Sequence, residues 1–490
     1  MKKNIYYIYI LIGLALSSCS NFLEESSQDL MIPKSVTDYK ELFFGEVINN
    51  KEVLHPYLEY MTDDVADLCY YGSSPMLISN DWREPMWAYY TWQQDPEIGI
   101  SNEFTTDKAW TSYYHKILMC NIMLDKLSEM NGTEEEKQDL EGEAHFMRAF
   151  SYFMLANLYG RPYVEATATE DLCVPINTEI SLSDKMMKRA TNAEVYAQME
   201  ADITKAIECL KGSNIQKSIY RPNLAGAYLL ASRIALFQQK YDDVVTYSDV
   251  VINDFGKQLT KLPETPGENK FLSFANKEIL FSYGTTTIES YMKPDFGYAG
   301  DLVVSKDLLA QYSENDLRLS QFFQHTVGKQ RRPVAKTIEY YVPSKWSSTS
   351  PTVYSNAFRL SEAYLNRAEA YAEKGEQDKA MDDLKTLSEH RMKSGAQPLE
   401  VDAEGIVATV RKERRRELAF EGFRWFDLRR YGCPVIEHVY TSKNTEGAGD
   451  KFKLQDKDLY TLPIPKSERD KNMQIEIFSR PENKPVSANN

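Results

Sequence analysis

The chain has 490 residues and a formal net charge of −15. That charge argues against nucleic acid and against adsorption to an anionic lipid surface, since both attract cationic proteins. The length permits a large core and, taken alone, two to four domains.

Residues 1–18 read as a targeting segment: Lys2 and Lys3 open it, and Ile5 to Leu16 is apolar. At about 1.5 Å per residue the apolar run spans roughly 18 Å, short of a hydrocarbon core of about 30 Å, so an export signal is expected rather than a membrane span. It ends in Leu16-Ser17-Ser18-Cys19, which is similar to a lipobox, and Cys19 is the expected lipidation site. Three acyl chains, the complement of bacterial lipoproteins as a class, would anchor durably where one binds only marginally. Residues 19–36, with Glu24 and Glu25, read as a solvated tether. The other five cysteines (Cys69, Cys120, Cys173, Cys209 and Cys433) are scattered and form no CxxC, so buried apolar roles are expected.

From about Thr37 the pattern is helical. Helices are predicted over 108–130, 134–159 (stopping at Gly160 and Pro162), 191–210, 222–239, 241–253, 359–374 and 377–393, with a turn at Gly375. ASRIALFQQKYDDVVTYSDVVI and LNRAEAYAEKGEQDKAMDDLKTL share one layout: small residues, a tight turn, then Ala or Val opening a second helix. Small residues let paired helices approach closely, as in tetratricopeptide-like stacks. Two excursions, about 57–106 and 260–355, break the pattern with Gly, Pro, Asn and many rings, and hold strand-like pieces at 278–283 and 338–343. Arg411 to Gly432, RKERRRELAFEGFRWFDLRRYG, is apolar over most of its girth and predicts a buried helix. Its charges fall at helical pairing distances: Glu413 to Arg416, Arg414 to Glu417, Glu421 to Arg424 and Arg424 to Asp427. A nucleic-acid role for ERRRE is excluded because each base has an acid beside it.

No GxSxG, HExxH, Walker loop, dinucleotide fingerprint or EF-hand spacing is present. The six histidines never fall at ligand spacing, and Asp63-Asp64 is an adjacent pair rather than two carboxyls set across a sugar. His145 and Arg148 lie inside an apolar helix and read as satisfied structural groups. No enzyme activity or cofactor is expected and no metal ligand set is picked out, while binding of a calcium ion by the acidic loop residues stays open.

The stretch ERRRELAFEGFRWFDLRRYG resembles the C-terminal signature of the SusD/RagB family, the surface lipoproteins of nutrient uptake in Bacteroidetes. GEAHFMRAFSYFMLANLYGRP, RLSEAYLNRAEAYAEKG and PIPKSERDKN match the same family in order. The resemblance implies a mainly α fold: a SusD-like α-α superhelix, a tetratricopeptide-like scaffold of helical pairs with long loop-rich excursions and a few short strands, forming one domain over 37–490. It also implies a non-catalytic protein of the outer membrane, facing outward, that captures a glycan or oligosaccharide for a SusC-like TonB-dependent transporter. Capture of peptides or another nutrient, or a structural lid without ligand affinity, stays open.

A sugar offers an apolar C–H face to rings and a hydroxyl rim to polar groups. SNDWREPMWAYYTWQQ (79–94) supplies both, and the spacing of five between Trp82, Trp87 and Trp92 with Pro85 between them predicts a loop. The candidate ligand residues are Trp82, Trp87, Asn80, Asp81, Arg83, Tyr70, Tyr71, Tyr291, Tyr298 and Trp346. Trp110 and Trp425 fall in helical patterns and belong to the core; the family resemblance puts Trp92 there too.

Overall fold

The computed structural model describes residues 33–49, 55, 57–67, 86–180, 186–267, 269–284, 292, 302–330, 336–346, 356–441 and 449–486. Its main helices are α1 (Val36–Phe43), α2 (Ala109–Lys126), α3 (Glu134–Tyr159), α4 (Asn192–Ser213), α5 (Leu224–Phe237), α6 (Tyr241–Asp254), α7 (Leu360–Glu373), α8 (Gln377–Ser388), α9 (Ile406–Leu418) and α10 (Arg424–Arg430). Each of α2 to α8 packs on the next in chain order, giving the expected stack of helical pairs, and α9 lies against α7 and α8.

Local chemistry sets the boundaries. Thr133 and Thr191 close capping boxes with Glu136 and Glu194, each satisfying two helix-end N–H groups at α3 and α4. Ser35 does the same with Asp38 at α1. Helix α3 is buried on nearly its whole circumference from Ala144 to Tyr159 because α2, α4 and α5 surround it. Its approach to α4 needs glycine: a Cβ at Gly142 would meet Leu210 Cγ at 2.7 Å. The small residues of α5 to α7 meet as predicted, with Ser232 Oγ 2.8 Å from Ser248 Oγ and accepting from Asn366 Nδ2 at 3.2 Å.

The strands form four two-stranded antiparallel ladders among the described residues: β1 (Val65–Asp67) with β3 (Leu302–Val304), β2 (Ile279–Tyr283) with β6 (Asn356–Arg359), β4 (Phe323–Gln330) with β5 (Lys336–Pro343), and β7 (Ile436–Tyr440) with β8 (Asp450–Leu454). Cys120, Cys173 and Cys209 are buried thiols, as expected, and Cys433 is half-buried.

The signature run departs from the single helix predicted for it. It breaks between α9 and α10, with Phe420 (φ 62°) and Gly422 (φ 80°) in left-handed conformation. Of the four local ion pairs only Glu413 to Arg416 forms, at 2.5 Å. Arg414 instead binds Asp427 at 2.9 Å, and Arg424 binds Asp63 at 2.6 Å. The carboxylate of Glu417 collects Arg391 at 2.9 Å, Arg359 at 2.8 Å and Arg318 at 3.2 Å, while Glu421 takes Arg359 and Lys345 at 2.9 and 2.6 Å. All six groups are buried or nearly so. Local pairing loses because buried cations from distant segments compete for the same acids: Glu417, near the end of α9, is shared by Arg318, Arg359 and Arg391, and in the break Glu421 meets Arg359 and Lys345. Their field holds the Glu417 carboxyl well below the ordinary carboxylate range in spite of burial.

Glu59 closes the break from outside, accepting the Gly422 N–H at 2.7 Å through Oε1. Burial, seconded by the neighbouring Asp64 charge, pushes its pKa up to about 8. Glu59 is therefore protonated in the folded protein at neutral pH.

Two outcomes follow from this buried charge lattice. Glu417→Gln leaves three guanidiniums without their shared anion and should lower unfolding stability by about 3–5 kcal/mol in urea titrations; Glu404→Gln, on the exposed approach to α9, should stay within about 0.5 kcal/mol. Glu59 binds a proton that the unfolded chain releases above its ordinary pKa, so its contribution to stability falls as pH rises from about 4.5 toward about 8. Glu59→Gln should remove that decline, read as a flatter profile of stability against pH.

Candidate ligand-binding cleft

The β1–β3 ladder brings the two loop-rich excursions together. Asp67 pairs with Leu302 in its register, so the described residues bordering segments 68–85 and 293–301 are neighbours. Beside this ladder lies an open cleft of about 280 Å³, lined by residues of β1, by Tyr90, by Ser305 and Asp307, and by β7.

Its walls are tied by hydrogen bonds rather than by long elements. The Tyr90 hydroxyl accepts from Asp67 N at 3.0 Å and donates to Val439 O at 3.1 Å, joining β1 to β7. Asp67 Oδ2 accepts from Thr441 N at 2.8 Å. Ser305 Oγ donates to Asp63 O at 2.8 Å, and Arg415 reaches Asp64 and Asp307, both at 2.7 Å. Burial would raise the Asp63 carboxyl, but Arg424 and Arg415 overcome it and hold the pKa near about 2.

His438 is a buried member of the lining. Its ring is stacked between Tyr90 (4.1 Å between centroids) and Trp92 (4.3 Å). Its nitrogens lie 2.7 Å from Tyr90 O and 2.8 Å from Thr62 O. Burial pushes its pKa down to about 4 against the pull of both carbonyls, so at neutral pH the ring carries one proton and bonds one carbonyl at a time. Trp92, at φ 53°, donates its Nε1–H to Met61 O at 2.9 Å, which confirms the core placement expected of it. Trp110 and Trp425 are likewise buried. His145 and Arg148 both bind Asp202, at 2.7 and 2.6 Å, as structural groups.

Two of the ten candidate ligand residues can be placed. Trp87 opens a single helical turn, Trp87–Tyr90, rather than lying in a loop. The turn forms because Tyr89 is clamped face to face on Tyr57 at 4.2 Å and Tyr90 is bonded to both walls. Trp87 is half-buried and edge-on to Tyr440 and Phe452 of the β7–β8 hairpin, at 6.5 and 6.3 Å. Trp346 is not a surface-accessible ligand residue: it is 2% exposed, on a backbone segment that bridges to Leu272. Tyr70, Tyr71, Asn80, Asp81, Trp82, Arg83, Tyr291 and Tyr298 lie outside the described residues, as does Cys19. Tyr90, Asp67, Asp307 and His438 were not foreseen; they come from separate segments, and no local spacing marks them.

Among the described residues no group of three or more His, Cys, Asp or Glu side chains is placed to hold a metal ion. No helix among them is long and apolar enough to cross a membrane.

Two family models match the chain in succession: residues 21–236 match a model described as "Starch-binding associating with outer membrane", and residues 278–477 match the SusD family. SusD-like protein P25 of Formosa agariphila is 25% identical over 209 residues, which cover 41% of this chain but only 38% of that protein. SusD-like protein P2 of the same organism is 24% identical over 415 residues, covering 75% of this chain and 78% of that one. A SusD superfamily structure from Bacteroides thetaiotaomicron superposes with a TM-score of 0.71 at 24% identity, over 91% of this chain and 100% of the other. Successive matches from residue 21 to residue 477, joined to the shared stack of helical pairs, make this chain a member of the SusD/RagB family, whose proteins bind carbohydrate and associate with the outer membrane.

Proposed function

We propose that this chain is a lipid-anchored surface protein that captures a glycan or its oligosaccharides and passes them to a SusC-like TonB-dependent transporter, without covalent chemistry. In this reading residues 1–18 are removed, Cys19 is acylated, 19–36 form the tether, and 37–490 act as one domain.

The observation that carries the reading is the pairing of Asp67 with Leu302, which sets the ends of two ring-rich segments side by side over an open cleft.

The number of rings matters. A stacked contact hiding about 100 Å² contributes about 2.5 kcal/mol gross at 25 cal/mol per Å², and association costs at least about 4 kcal/mol. One ring is insufficient, so two or three must converge. We assign Trp82, Trp87, Tyr70, Tyr71, Tyr291 and Tyr298 to that set, with Asn80, Asp81 and Arg83 serving the hydroxyl rim. Micromolar to millimolar dissociation constants are the expected range.

Binding of the chain lacking its first 19 residues to a glycan panel tests the reading. Trp82→Ala and Trp87→Ala should each weaken binding by tenfold or more, on the order of 1.4 kcal/mol, with the melting temperature of Trp82→Ala unchanged; full affinity in both variants would remove the site. In cells the wild type should incorporate labelled palmitate and Cys19→Ala should not, leaving the membrane fraction with it.

A further inference from the structure

A second groove, of about 540 Å³, lies at the base of the β4–β5 hairpin and shares no residue with the cleft described above. Its size falls within the range of about 300–1,000 Å³ common for small-ligand pockets. The hairpin has two unlike faces. Tyr340 and Val342 point inward and are buried, whereas His325 and Val327 are exposed and Tyr341 is half-buried on the other face. His325 and Tyr341 are register partners, and their rings lie 4.9 Å apart, tilted by 39°, as a small aromatic platform at the solvent side.

The opposite wall is held to the body of the protein. Leu262 N donates to His390 O at 2.9 Å, and Gln321 Nε2 donates to Pro263 O at 2.9 Å. Ser394 N donates to Glu264 Oε1 at 3.2 Å. The groove is therefore preformed between two braced walls.

Its polar groups keep bonding capacity in hand. Lys270 donates to Ser344 Oγ at 2.7 Å and Lys393 to Glu314 O at 2.8 Å, one bond each from ammonium groups that offer three. No described residue hydrogen-bonds the Glu314 carboxylate or the Tyr341 hydroxyl. In the lining Glu264 and Glu314 stand against two lysines, Asp316 is already taken by Arg318 at 2.8 Å, and a further carboxylate, Glu339, lies 3.3 Å from His325 Nε2, so the groove does not favour an anion.

We infer that this groove is a second binding site, for a neutral saccharide: the His325–Tyr341 platform meets a sugar's C–H face, and Glu314, Lys270 and Lys393 meet its hydroxyls. A phosphate or sulfate ligand would face Glu264 and Glu314 with only two lysines in compensation. A hydroxyl both donates and accepts, which suits a rim carrying spare groups of both kinds. The inference shares the ligand class of the proposed function and none of its residues.

Hydrogen–deuterium exchange separates the two sites. The chain lacking its first 19 residues is exposed to maltohexaose, xylohexaose, laminarihexaose and mannohexaose, each at millimolar concentration. At least one should protect peptides covering 262–270 and 323–341. The surface double variant Glu314→Gln/Lys393→Met, and separately Tyr341→Ala, should weaken that protection by about tenfold in ligand concentration while leaving peptides over 436–441 unchanged. Protection confined to 436–441 overturns the second site and leaves the proposed function standing. Protection of the groove that neither variant alters overturns the assignment of its residues, and no protection anywhere by any of the four overturns both.

Discussion

One carboxylate, Glu417, gathers the guanidiniums of Arg318, Arg359 and Arg391 inside the protein, and most of the architecture answers to that constraint. Buried arginines require acids beside them, and the left-handed residues Phe420 and Gly422 lie on either side of Glu421, which meets Arg359. Glu278 shares Arg391 and Arg359 with Glu417, at 2.6 and 3.2 Å, which ties strand β2 into the same lattice. Helical pairs, strand ladders and the signature run are thereby locked by one set of charges as well as by apolar packing.

The lattice extends to the cleft through two arginines of the signature run. Arg415 and Arg424 project from either side of the break onto Asp63 and Asp64, the residues immediately before β1. Because β1 carries Asp67 and its partner β3 carries Leu302, the placement of those two bordering residues depends on that contact. A binding surface assembled from loops needs such a rigid mount, since ordering mobile loops at the moment of binding would subtract from weak sugar affinity. The aromatic stack of Tyr90, His438 and Trp92 completes the mount, with Tyr90 and His438 in the cleft lining and Trp92 buried.

Rings of one chemical type thus divide between two uses. Trp92 and Trp346 are sealed inside, the first with a bond to Met61 O. Trp87, five residues before Trp92, remains half-exposed on the β7–β8 hairpin. Strand β5 shows the same division, with Tyr340 and Val342 buried and Tyr341 half-buried between them, by the period of two that a strand imposes.

What the amino-acid sequence determined by itself was local. Helix α3 runs from Glu134 to Tyr159 as predicted, because a capping box at Thr133 and Gly160 with Pro162 are signals that act within a few residues. The helical-pair scaffold was legible for the same reason, its small residues recurring at contact spacing. The partners of the signature charges were not. Residues three or four apart on a helix always look like partners, but in a dry interior the choice goes to whichever acid can reach a stranded base, and Arg359 and Arg318 lie 58 and 99 positions from Glu417. The cleft was hidden likewise, since Asp67, Tyr90, Asp307 and His438 share no local pattern and meet only when β1 pairs with β3 and packs on β7. Spacing along the chain decides which elements form; only the tertiary structure decides which charges and rings must leave water together.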